Sequence, residues 1–218
     1  MGDIAFVLSH LQVPVLLNPV HLANPNSIPD LIAEVKALCA CALQRDINES
    51  DKAVLLKNRT STSSPVKLSD VLQYRHYLDV IIPVHRKALT QLLTSCHTLT
   101  VNSLQWDPLW QRDVPWELRV CCFCHSEPED ECHTMLYCVG SQALTQRRGL
   151  FLSDAQQVVP GVRAAVLSLP PPDSLHYLVG EEWVVGVLTK YAFDVLNIFD
   201  TVELYFHPML LHPAPLSQ

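Results

Sequence analysis

Cys121, Cys124, His133 and Cys138 are the residues of this chain best suited to act together chemically. Three thiols and an imidazole are soft ligands, and the spacing Cys-x2-Cys-x8-His-x4-Cys lets them close around one metal ion. A two-residue gap between cysteines suits a tight turn wrapping one side of a tetrahedron. His133 and Cys138 lie five positions apart, compatible with one helical turn facing the metal. Between the pairs runs His125-Ser126-Glu127-Pro128-Glu129-Asp130-Glu131, a polar, turn-rich loop that suits a hairpin rim. Zinc is the expected ion. Cys122 could replace Cys121, and Cys132 could replace His133. Four protein ligands leave no exchangeable position for water, so the expected role is structural and hydrolysis is not expected.

The same stretch carries a family resemblance. Arg119-Val120-Cys121-Cys122-Phe123-Cys124, followed by Glu129-Asp130-Glu131-Cys132-His133 and then Cys138, resembles the Arg-x-Cys-x-x-Cys…Glu-Asp-Glu-x-His…Cys signature of LINE-type reverse transcriptases. In those non-LTR retrotransposon proteins the signature lies in a zinc-binding segment downstream of the polymerase. His85-Arg86-Lys87-Ala88-Leu89-Thr90, Cys96-His97-Thr98-Leu99 and Leu104-Gln105-Trp106 resemble the helical stretch leading into it. The match is strongest over 70–152, and a looser one to compact fungal copies extends over most of the chain. Two features depart from the family: Leu93 and Gln105 stand where basic residues are usual, and no Tyr-x-Asp-Asp polymerase motif is present. The resemblance therefore implies a non-catalytic accessory region that handles RNA or single-stranded DNA. Arg86, Lys87, Arg119, Arg147 and Arg148, all near the metal motif or its lead-in, are the candidate phosphate contacts.

Composition limits these readings. With 49% hydrophobic and 17% charged residues the chain is a folded protein rather than a disordered tail. A net charge of −7 is awkward for a nucleic-acid binder, whose affinity for phosphate rests on Lys and Arg. Only the middle of the chain could present a basic face, since 45–92 holds eight Lys/Arg against five acids while 149–218 holds two against seven. No secretory signal is recognisable at the N-terminus, so the eight cysteines are expected in a reducing, nuclear or cytoplasmic compartment, where clustered Cys and His bind metal. No uncharged apolar run is long enough to span a bilayer. Nothing resembles a phosphate loop, a nucleophile elbow, an HExxH helix or the zinc-deaminase order, and no enzyme is expected.

Six glycines against sixteen prolines favour helices joined by proline-rich connections, so the expected fold is mainly α: an irregular helical domain with a small Cys3His zinc-knuckle hairpin. Three regions are expected: 1–64, an arm and helices; 65–155, the helical lead-in and zinc module; and 156–218, a C-terminal helical region packing on the rest. Leu31, Val35, Leu38 and Ala42 predict an amphipathic helix over 29–46. A short helix is expected over 51–58, a flexible Thr/Ser linker over 60–65, and a helix from Ser69 ended by Pro83. Further helices are expected over 84–104, from Gln142 to near Asp154, and as one long element over 175–206. The tryptophans 106, 110 and 116 are expected to pack under the metal hairpin. The function favoured by the sequence is a zinc-stabilised nucleic-acid-binding module. The alternative is a repurposed protein-interaction fragment that keeps a purely structural zinc.

Overall fold

A computed structural model describes residues 24–50, 52–57, 71, 75–105 and 114–211. The arm before residue 24, the linker over 60–65, Trp106 and Trp110 lie outside the described residues. The chain divides into two compact units.

The first unit holds helix α1, Ile28–Glu49, entered through a 3-10 turn at Pro25–Ser27. Pro29 sits in its first turn, where a missing N–H costs nothing, and Asp30 complements the positive end of the helix dipole. Leu31, Val35, Leu38 and Ala42 line one half-buried face, as their spacing predicts. The short helix expected after it is a single 3-10 turn, Val54–Leu56.

The second unit joins the metal motif to all the C-terminal helices. Its helices are α2 (Pro83–Leu93), the single turn α3 (Thr100–Ser103), α4 (Gln142–Val158), α5 (Val162–Ser168), α6 (Pro171–Gly180), α7 (Val185–Asp200) and the turn α8 (Pro208–Leu211). At the centre is α7, against which both α2 and α4 pack. Leu188, Tyr191, Ala192, Val195, Leu196 and Phe199 are all buried, so its apolar stripe is wide enough to take a helix on either side. Leu89, Leu92 and Leu93 face it from α2; from α4 come Leu144, Phe151 and Ala155, with the Phe151 and Tyr191 rings stacked 4.4 Å apart.

Two expected helices are interrupted, each for a local reason. The element expected over 84–104 stops at Leu93, where Ser95 turns left-handed at φ 46° and the Cys96 amide donates to the Gln91 carbonyl. That bond closes the helix end in the manner of a Schellman cap, with serine in the position glycine usually takes. The element expected over 175–206 divides at Gly180: Glu181 is extended and Glu182–Val184 form a 3-10 turn before α7 begins. Glycine is a poor helix former, and the apolar periodicity on its two sides hid the break. The described part of the helix expected from Ser69 is a 3-10 turn, His76–Asp79. Pro83 does open α2, α4 runs four residues past Asp154, and α5 was not anticipated. Beyond Pro208, Leu210 is buried with Leu104 and Val114. No helix among the described residues is long and apolar enough to cross a membrane.

Candidate metal centre

The knuckle begins at a minimal hairpin. Val120 and Pro128 form an antiparallel bridge, the Cys121 amide donates to the Glu127 carbonyl at 2.8 Å, and the Glu129 amide donates to the Arg119 carbonyl at 2.9 Å. Inside this frame the chain turns tightly: the His125 amide reaches back to the Cys121 carbonyl, and His125 takes a left-handed φ of 56°. The Phe123 amide and the Ser126 hydroxyl donate to the Cys121 and Cys124 sulfurs at 3.4 and 3.3 Å. Such donors stabilise negative charge on sulfur, which a metal ligand must carry.

The second pair sits on a π-helical turn, His133–Tyr137. The Cys138 amide donates to the His133 carbonyl at 2.7 Å, so the five-residue separation is closed by one backbone bond. A π turn matches that separation where an ordinary α turn would leave the two side chains out of step. The carbonyls of this turn are held from outside. Arg148 on α4 donates to Met135 and Cys138, and the Tyr191 hydroxyl on α7 donates to Met135. Asp130 accepts from the His133 amide at 2.7 Å, starting the turn. On the knuckle side, Phe123 packs edge-on against Phe199, and His125 stacks on Tyr205 at 3.9 Å.

These elements bring Cys121, Cys124, His133 and Cys138 together, with one donor atom from each lying within 4.8 Å of every other. Cys121 Sγ is 3.6 Å from Cys138 Sγ, and Cys124 Sγ is 3.3 Å from His133 Nε2. Cys122 and Cys132, the alternative ligands, fall outside the group. The Cys121 thiol is pushed up to about 12, first by its hydrogen bond with Cys122, and burial adds to it. Cys138 is likewise pushed up to about 12, first by its hydrogen bond with Cys121 and then by burial. Thiols packed this closely hold their protons, and a bound cation must displace them. The arrangement is that of a closed four-ligand site.

The loop expected to form the hairpin rim also turns two carboxylates inward. Glu129 is only 2% exposed. Its Oε1 accepts from the Thr100 amide and hydroxyl, both at 2.8 Å, and its Oε2 accepts from the Cys122 amide at 2.7 Å. It thereby ties the knuckle to α3. Glu131 accepts from Ser95 and from buried His97; burial works to raise its carboxyl, but the His97 and Ser95 contacts outweigh it and hold it low. Glu129→Gln places an amide NH2 against N–H or O–H donors that now meet a carboxylate. It should cost about 2–3 kcal/mol, read as a lower urea midpoint at unchanged slope. An unshifted midpoint would refute this role.

The five candidate phosphate contacts are placed very differently. Arg119 is buried, with Nε donating to the Val114 carbonyl and Nη1 to the Val101 carbonyl, both at 2.9 Å, so it is a structural brace out of reach of a ligand. Arg148 is engaged with the π-turn carbonyls, and Arg86 donates to the Leu78 and Val80 carbonyls at 3.2 Å. Arg147 is exposed but pairs with Asp194 at 3.5 Å. Lys87 is exposed and has no polar partner among the described residues. Trp116, expected beneath the hairpin, is 45% exposed, with the Arg119 guanidinium 6.0 Å from its ring centre. The residues that the sequence reading missed are Glu129, Tyr191 and Gly140. Glu129, in the Glu129-Asp130-Glu131 run, and Gly140, two positions after the last ligand, each left a sequence signal.

Fold and site together define a mainly helical protein with a Cys3His group that can hold a metal ion. Comparison with family models, curated proteins and solved structures finds no match.

Proposed function

We propose that this chain is a non-catalytic, zinc-stabilised helical module, similar to the post-polymerase region of LINE-type retrotransposon proteins, that works through protein contacts. Three thiols with one imidazole are the donor set zinc favours, and the 3.6 and 3.3 Å edges lie near the about 3.8 and 3.6 Å expected for tetrahedral zinc. All four donors come from the protein, which supports a structural ion.

The observation that favours protein over nucleic acid is the fate of the cations. Arg86, Arg119 and Arg148 donate to backbone carbonyls, Arg147 faces Asp194, and the chain is acidic as a whole. A nucleic-acid surface needs several cations free to displace counterions from phosphates. The RNA or single-stranded DNA reading implied by the resemblance keeps Lys87 at the first turns of α2 as its one unengaged contact.

Filter binding of the zinc-loaded chain to RNA and DNA 20-mers, repeated across salt concentrations, separates the two. The expected result is no binding tighter than the non-specific level of about 10⁻⁴ M at physiological salt. Micromolar or tighter binding that falls steeply with salt and is lost in Lys87→Glu would overturn the protein-facing reading and restore the nucleic-acid one.

A further inference from the structure

Beside the metal group lies a cavity of about 380 Å³, and its chemistry differs from that of the closed cluster. Cys124, Cys132 and His133 form part of its wall, Pro128, Tyr137, Val139 and Pro171 supply apolar surface, and Glu127 and Asp130 contribute two carboxylates. No Lys or Arg is among the lining residues. Of the metal group, only Cys124 and His133 reach this wall. Among the described residues, the wall therefore carries carboxylates with no Lys or Arg to offset them.

Size and lining narrow the occupant. Ligand pockets run from about 300 to 1,000 Å³, so this one has room for a single long side chain with its flanking backbone. A phosphate would meet two carboxylates and no donor of positive charge. A metal ion would find its four soft ligands already facing one another across the neighbouring cluster. A long cationic side chain satisfies both halves of the wall: its methylenes lie on proline, valine and tyrosine while its charged head meets the carboxylates. Asp130 has one of its oxygens already on the His133 amide, which leaves exposed Glu127 as the freer partner.

The geometry points to this cavity as the receptor for a lysine or arginine side chain presented by a basic segment of a partner protein. The inference rests on the protein-facing reading and gives it a partner chemistry. Cys132, whose thiol is kept protonated by burial and by the neighbouring carboxylates, is a passive part of the wall.

The test is an amide NMR titration of the full, metal-loaded chain with three capped tripeptides, Gly-Lys-Gly, Gly-Arg-Gly and Gly-norleucine-Gly, and with inorganic phosphate. Lysine or arginine peptide should shift the signals of Glu127, Cys132, Tyr137 and Val139 and saturate in the millimolar range, while norleucine peptide and phosphate leave them in place. Glu127→Gln should weaken that binding roughly fivefold with metal content unchanged. Equal shifts with norleucine, shifts confined to other residues, or no shifts at all would overturn the assignment, while the protein-facing reading would still stand on the filter-binding result. Phosphate shifting the cavity signals would overturn both.

Discussion

Removing the metal, or replacing Cys138 with serine, should unfold the stretch from Val120 to Gly140 and loosen the helices that rest on it. Glu129, Arg148 and Tyr191 brace the knuckle from outside, but it has little apolar core of its own. Its hairpin is a single bridge, and its buried apolar side chains are few: Val120, Met135 and Leu136. Cys121 and Cys138 are fully buried, with the charge needed for ligation disfavoured until a cation arrives. Closed thiolate sites supply on the order of 10 kcal/mol of apparent binding energy that appears as folding energy. Serine offers a hard, protonated hydroxyl in place of a soft thiolate, and most of that energy should disappear. Native mass spectrometry should show one zinc per chain in the wild type and none in Cys138→Ser. Circular dichroism should report loss of near-ultraviolet signal and a lower Tm on chelation. A metal-free chain with an unchanged Tm and all three ligand thiols freely alkylated is the contrary result.

Gly140→Ala should be nearly as damaging without touching a ligand. A Cβ at this position would lie 2.5 Å from the Phe123 carbonyl carbon and 2.6 Å from both the Phe123 oxygen and the Cys124 nitrogen. These are backbone atoms of the knuckle, so no side-chain rotation can relieve the clash. Either the segment leaving Cys138 moves back or the Cys121–Cys124 turn moves away, and both separate donors that now lie within 4.8 Å of one another. We expect a loss of about 3–5 kcal/mol, at the upper end for a single substitution, together with weaker zinc retention in a competition titration with a chromogenic chelator. Gly149→Ala is the matched control: it lies on α4, a Cβ there meets nothing within 4 Å, and the change should stabilise by about 0.5–1 kcal/mol. Gly140→Ala behaving like Gly149→Ala would remove the close approach from the account of the site.

The difference between these glycines marks what could be read in advance. Helix α1, the helix starting at Gln142 and the helical class of the chain follow from apolar periodicity and composition, which are properties of neighbouring residues. The four ligands were legible for the same reason, since thiol spacing in a tight turn is local chemistry. What escaped depends on partners distant in the chain. Glu129 looks like one more rim acid until Thr100, 29 positions earlier, is brought against it. Arg119 and Arg148 look like surface charge until the carbonyls of Val101 and Cys138 are seen to need donors. The breaks at Ser95 and Gly180 failed differently, because apolar periodicity continues across both and hides the loss of a single turn.

The clamps on the π turn have a further consequence for how this centre can be handled. Its carbonyls are gripped by Arg148 from α4 and by Tyr191 from α7, and its crown rests on Phe199 and Tyr205. A short peptide cut around the motif would keep every donor and lose the scaffold that aims them. Unlike an autonomous finger that can be grafted from one host to another, this centre travels only with its helices.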